Sequence, residues 1–165
     1  MVARVSAGIL LFRKRDGQLE VFLGHPGGPF WAKKDKGAWS IPKGELEPGE
    51  DPFAGAVREF EEETGHRPSG DFFPLPSVTQ AGGKVVQCWA VEGDIDPAGV
   101  RSNTFSLQWP PRSGVFLDFP EIDRAEWFPL PEARERLLGA QLPLLDALVE
   151  AVSDGHWTPS VDRGS

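Results

Sequence analysis

Residues 44–66, GELEPGEDPFAGAVREFEEETGH, decide how this chain is read. Set on a helix at about 100° per residue, Glu59, Glu62 and Glu63 fall on one narrow face, and Phe53, Ala56, Val57 and Phe60 share the opposite one. Such a helix can bury one side and hold cations on the other. Ionised glutamates at i, i+3 and i+4 repel one another, so the arrangement is unfavourable unless positive charge neutralises it. The stretch offers neither thiolate nor imidazole at metal-ligand spacing, and an all-oxygen donor set suits hard ions such as Mg²⁺ or Mn²⁺. The boundaries agree with a helix: Asp51 as N-cap, Pro52 in the first turn, Gly65 as the C-terminal stop. A charge run is more often just a solvated helix face. That plainer reading leaves unexplained why Arg58 interrupts the acids and why a loop bearing glycine precedes them.

The spacing itself carries a resemblance. Gly44, five residues, Glu50, seven residues, then Arg58-Glu59-Phe60-Glu61-Glu62-Glu63-Thr64-Gly65-His66 resembles the Nudix box, G-x5-E-x7-R-E-U-x-E-E-x-G-U, where U is a bulky aliphatic residue. Every charged and glycine position matches. The departures are Phe60, still apolar and bulky, and His66, a polar ring where an aliphatic is usual; neither removes a carboxylate.

Working outward, the 165 residues suit a single domain, read as 1–152 with a polar C-terminal tail over 153–165. A hydrophobic content of 39% and a charged content of 25% are those of a soluble globular protein. The opening MVARVSAGILLFRKR is too short an apolar run to span a membrane and lacks a small-residue cleavage pattern, so a cytoplasmic protein is expected. The net charge of −8 argues against extended nucleic-acid binding but leaves room for a small polyphosphate neutralised by metal and a few local cations. Cys88, alone of its kind and set in the apolar run 85–91, reads as a buried small hydrophobe.

Residues 5–12 and 19–24 read as a hairpin about Asp16-Gly17, and residues 78–80 and 84–91 as a second about Gly82-Gly83, with the acidic helix between them. Strands are predicted over 102–109, 115–117 and 125–128, then helices over 132–138 and 142–152. Periodicity alone supports an α+β domain. The Nudix resemblance implies the finer architecture, an α/β/α sandwich of mixed sheet whose metal site is a loop-helix-loop.

The resemblance also implies chemistry: Mg²⁺ (or Mn²⁺) as cofactor, and attack of water on phosphorus in a nucleoside diphosphate linked to another group. Carried across by position, Glu59, Glu62 and Glu63 are the expected metal ligands, joined by a backbone carbonyl near Lys43-Gly44. Glu50 is either an outer ligand or a helix N-terminal charge stabilised by about 0.3–1 kcal/mol. Arg58 resembles the arginine that orients a catalytic glutamate. The general base is Glu59 within the box or an acid of the later loop, where Glu121 is preferred. The lead-in Trp39-Ser40-Ile41-Pro42-Lys43-Gly44 is similar to the W-x-x-P-K-G of Nudix enzymes acting on diadenosine polyphosphates or inositol pyrophosphates. Lys43 and Trp39, with Trp31 and Lys33 before them, Lys84 and Arg112, are the expected substrate contacts. The chain has no tyrosine, so the downstream tyrosine associated with dinucleoside polyphosphate hydrolases is missing. Segment 94–120 reads as an insertion for substrate, for covering the core or for a homodimer contact. The competing reading is a regulatory Nudix module that binds nucleotides with little turnover; such modules commonly lose box carboxylates, and this chain keeps them.

Overall fold

In the computed structural model, which describes residues 5–153, strand β1 (Val5–Arg15) turns at Asp16-Gly17 into β2 (Gln18–Pro26). Both turn residues take positive φ, 53° and 80°, the requirement of a type I′ hairpin that Asp-Gly meets at little strain. The strands outrun the apolar stretches that predicted them because their charged ends also pair: Arg13 lies opposite Glu20 and its Nε donates to Oε1 at 2.8 Å.

The remaining elements follow as β3 (Lys43–Glu45), α1 (Pro52–Thr64), β4 (Phe73–Thr79), β5 (Val85–Glu92), β6 (Thr104–Gln108), β7 (Phe116–Pro120), β8 (Ile122–Pro129), α2 (Leu130–Arg136) and α3 (Leu142–Ser153). The main sheet runs β4-β5-β1-β2-β8 and is mixed, since β1 and β5 are parallel and the other pairs antiparallel. On its other edge β1 is shared: β2 pairs with it from Phe12 to Arg15, and β3 pairs from Ser6 to Gly8. The sheet therefore splits where β2 parts from β1. The strands β6 and β7 form a separate antiparallel ribbon, the structure of the predicted insertion.

Alternation along β1 sends Ala7, Ile9 and Leu11 to one face and Leu10 and Phe12 to the other. The first set packs with Ala56 and Phe60 of α1, and the second with Leu144, Leu145 and Leu148 of α3. Burial on both faces is why the strand reads as a continuous apolar run. This is the three-layer α/β/α sandwich. The predicted tail lies outside the described residues apart from Ser153. Among the described residues no helix is long and apolar enough to cross a membrane.

Candidate functional site

Helix α1 carries the acids, and its ends form as the sequence predicts. The Asp51 carboxylate accepts from the Ala54 N–H at 3.0 Å, and Gly65, at φ 79°, donates its own N–H to Glu61 O at 2.7 Å. Phe60 and Ala56 are fully buried against the sheet, which fixes the rotation of the helix and turns the glutamate face to the split beside β3. There Glu59, Glu62 and Glu63 line a cavity of about 600 Å³ together with Lys43, Lys84 and Glu121.

Arg58 organises the acidic cluster. Its Nε and Nη2 grip the two oxygens of Glu50 at 2.7 and 2.9 Å, while Nη1 reaches Glu59 at 2.9 Å and Glu62 at 3.0 Å. A planar guanidinium fork makes this bidentate geometry and an ammonium cannot. The hydrogen bonds from Arg58 pull Glu50 down to about 2. Glu63 has the opposite fate: burial, reinforced by the charges of Glu59 and Glu121, pushes it up to about 8 although Lys43 opposes the shift. Burial raises Glu59 as well and lowers the Lys43 ammonium. Desolvation thus outweighs the neighbouring cations, Arg58 at Glu59 and Lys43 at Glu63.

Glu121 reaches the same cavity from the far side. Its N–H donates to Asn103 O at 2.8 Å, while the Asn103 N–H donates to Glu62 O at 3.1 Å, so one residue's backbone links the end of the acidic helix to the opposing acid. Gly27 N–H donates to Glu121 O at 3.0 Å and fixes the loop after β2 to the same point.

Of the residues expected at the site, Trp31, Lys43, Lys84, Glu59, Glu62, Glu63 and Glu121 do line this cavity. Trp39 does not, and its expected substrate contact is corrected. It is fully buried, edge-on to His25 and Phe128, and its indole N–H donates to Asp35 Oδ1 at 2.8 Å. The cause is the backbone: Gly24 and Ser40 exchange hydrogen bonds at 2.8 and 3.0 Å, which draws the lead-in against β2 and its tryptophan into the core. Lys33 is exposed and outside the cavity lining; Arg112, at φ 63°, stands in the turn of the β6–β7 ribbon. Glu50 lies behind Arg58 rather than in the lining, and Lys84, 3.9 Å from Glu45, is an ion-pair partner at the rim. Cys88 is buried as expected, its thiol pushed up to about 12 by that burial.

Sequence reasoning missed His25, which is 1% exposed, with Nδ1 2.8 Å from Asp123 Oδ1 and Nε2 2.6 Å from the Lys34 carbonyl. Asp123 lies 98 residues away, so no local spacing could announce the pair. It clamps the loop bearing Trp31 and Lys34 to the start of β8, beside Glu121.

Whether the wall suits a metal can be judged from its donors. Among the described residues no three His, Cys, Asp or Glu side chains converge as a ligand set, for Arg58 draws Glu59 and Glu62 toward itself. The donors nevertheless fit a hard divalent cation: all are oxygens, and the missing Cβ of Gly44 leaves room where a side chain would overlap the Glu59 carboxylate.

Known proteins share this fold. The NUDIX domain model matches residues 2–148. An octanoyltransferase of Myxococcus xanthus is 37% identical over 101 residues, 61% of this chain and 25% of that protein. An RNA pyrophosphohydrolase of Roseobacter denitrificans is 42% identical over 67 residues, 39% of this chain and 36% of that protein. The chain therefore spans between a quarter and about a third of the length of these curated relatives. Among solved structures, the Ap4A hydrolase of C. elegans, as a binary complex, superposes with a TM-score of 0.65 at 22% identity, over 92% of this chain and 99% of that one. At that identity the likeness is one of fold.

Proposed function

The chain belongs to the NUDIX domain family, and from that premise we propose that it hydrolyses a phosphoanhydride bond in a nucleoside polyphosphate or dinucleoside polyphosphate with the help of Mg²⁺ or Mn²⁺. The observation that carries this reading is one cavity with three helix carboxylates and Lys43 on one wall, Lys84 at its rim, and Glu121 opposite. Glu59, Glu62 and Glu63 would hold the cation. When bound, a divalent ion withdraws charge from phosphate oxygens and eases deprotonation of water.

The chain's own groups do the rest. Lys43 and Lys84 receive the negative charge of the phosphates. Arg58 orients Glu59 and Glu62 through the shared Nη1 and anchors itself on Glu50. Glu59 is committed to that ion pair, so Glu121 is the better base. It takes a proton from water as the water oxygen bonds to phosphorus and the bridging P–O bond breaks, leaving two phosphorylated products. The relatives are consistent with this class: one bears the name RNA pyrophosphohydrolase and the structural neighbour is an Ap4A hydrolase.

The test is product release from dinucleoside polyphosphates, nucleoside triphosphates, ADP-ribose and inositol pyrophosphates, in Mg²⁺ or EDTA, for the wild type and Glu62→Gln. The expected result is turnover that needs the metal and falls at least about 100-fold in the variant. A wild type that binds nucleotide yet releases no product from any compound would favour a regulatory binding module.

A further inference from the structure

Beside the acidic cavity lies a second chamber of about 320 Å³, walled by Gly28, Phe30, Trp31, Phe105 and Leu107. Pro26, Trp31 and Glu121 line both, so the two chambers adjoin. We propose that this second chamber is the nucleobase subsite: a planar base enters it between the β6–β7 ribbon and the loop after β2, while its phosphates lie along Lys43 and Lys84. The inference rests on the polyphosphate reading above and adds which residues hold the other half of the substrate.

The chamber is built, not a chance crease. The tip of the Phe105 ring lies so close to Gly28, at φ 99°, that a Cβ there would sit 2.9 Å from its Cζ. A Cβ on Gly27 would overlap the Pro120 carbonyl, and the Gly27 N–H is already bonded to Glu121 O at 3.0 Å. Two adjacent glycines thus let loop and ribbon close on each other. Phe30 is braced edge-on by Trp109, ring centroids 5.4 Å apart at 81°, which holds one wall although Phe30 itself is 60% exposed. The Lys34 ammonium stands 5.3 Å over the Trp31 ring, and His25 holds the Lys34 carbonyl, so the shared wall is fixed too.

Charge decides which part of the substrate goes where. Glu121 is the single charged side chain among the described residues lining the second chamber, and it repels phosphate. The cations stand in the first. An apolar, aromatic chamber adjoining theirs accepts a neutral planar group and costs nothing in unpaired charge. Trp39, an expected substrate contact, is in the core, and the ribbon supplies Phe105 to the chamber.

The experiment compares binding of a nucleoside diphosphate with inorganic pyrophosphate by titration calorimetry, in Mg²⁺ and in EDTA, for the wild type, Phe105→Ala and Phe105→Leu, with melting curves alongside. Phe105→Ala should weaken nucleoside diphosphate binding roughly 5- to 100-fold and leave pyrophosphate unchanged within about twofold, with Phe105→Leu between them. Equal weakening of both ligands, or of neither, overturns the subsite, as does a wild type that binds nucleoside diphosphate no better than pyrophosphate. The outcomes separate the two readings. Selective binding without turnover leaves the subsite and removes the hydrolase, whereas turnover with unchanged Phe105→Ala affinity does the reverse.

Discussion

The two walls of the cavity are made in different ways. The acidic wall, Lys43 with Glu59, Glu62 and Glu63, comes from one short stretch whose geometry is set by helical periodicity, a local cap and a buried Phe60. The facing wall, Trp31 with Asn103 and Glu121, comes from three distant segments held by bonds such as His25 to Asp123, 98 residues apart. A wall encoded locally can lose its chemistry while keeping its shape. A wall assembled at long range loses shape and chemistry together once a clamp is cut. The contrast can be broken at the chemistry, at the clamp or at the local cap.

The largest effect is expected from Glu121→Gln. The amide keeps the size of an exposed side chain, and the backbone bonds to Gly27 and Asn103 remain, so the melting temperature should move by less than about 1 °C. If Glu121 is the base, kcat falls about 10²- to 10⁴-fold with KM little changed. A variant that keeps kcat within about threefold while Glu59→Gln loses it would move the base back onto the helix.

The clamp comes next. His25→Ala removes a buried ring that packs edge-on against Trp39 at 5.2 Å and bonds the Asp123 carboxylate and the Lys34 carbonyl. The cavity left behind and the two lost hydrogen bonds together should cost about 2–4 kcal/mol in urea unfolding. The loop carrying Trp31 should loosen, so KM for nucleotides rises before kcat falls. A loss below about 0.5 kcal/mol would mean that the facing wall holds without its long-range bond.

The same contrast explains what could be read from the sequence. The box, its caps and the hairpin at Asp16-Gly17 were legible because each is a pattern of neighbours, and the three-layer sandwich followed from the family resemblance they carried. Trp39 was misread for the opposite reason. Its neighbours resemble a substrate-facing lead-in, but pairing of Ser40 with Gly24, and of Trp39 with Arg136 and Leu138, places the ring inside. Segment 94–120 stood out as an insertion, but the place of Phe105 in it could not be read, since the ring meets Gly28 only after β6 and β7 have paired. Glu50 lay within a legible motif, yet only the Arg58 fork shows that it steadies the cluster instead of facing the cavity.

The smallest effect tests the local side of the comparison most directly. Asp51→Ala removes one capping bond, that to the Ala54 N–H at 3.0 Å, from a helix whose inner face is already buried through Ala56 and Phe60. A cap of this kind is worth about 1 kcal/mol. In a domain of this size that lowers the melting temperature by about 2–4 °C. The glutamates that should bind metal lie beyond the first turn, where fraying does not reach, and Arg58 still pins Glu59 and Glu62 from within the helix. Activity in saturating Mg²⁺ should therefore stay within about twofold of wild type while the melting curve shifts. A tenfold loss of activity from this exposed change would show that the acidic wall leans on its surroundings as heavily as the facing wall does.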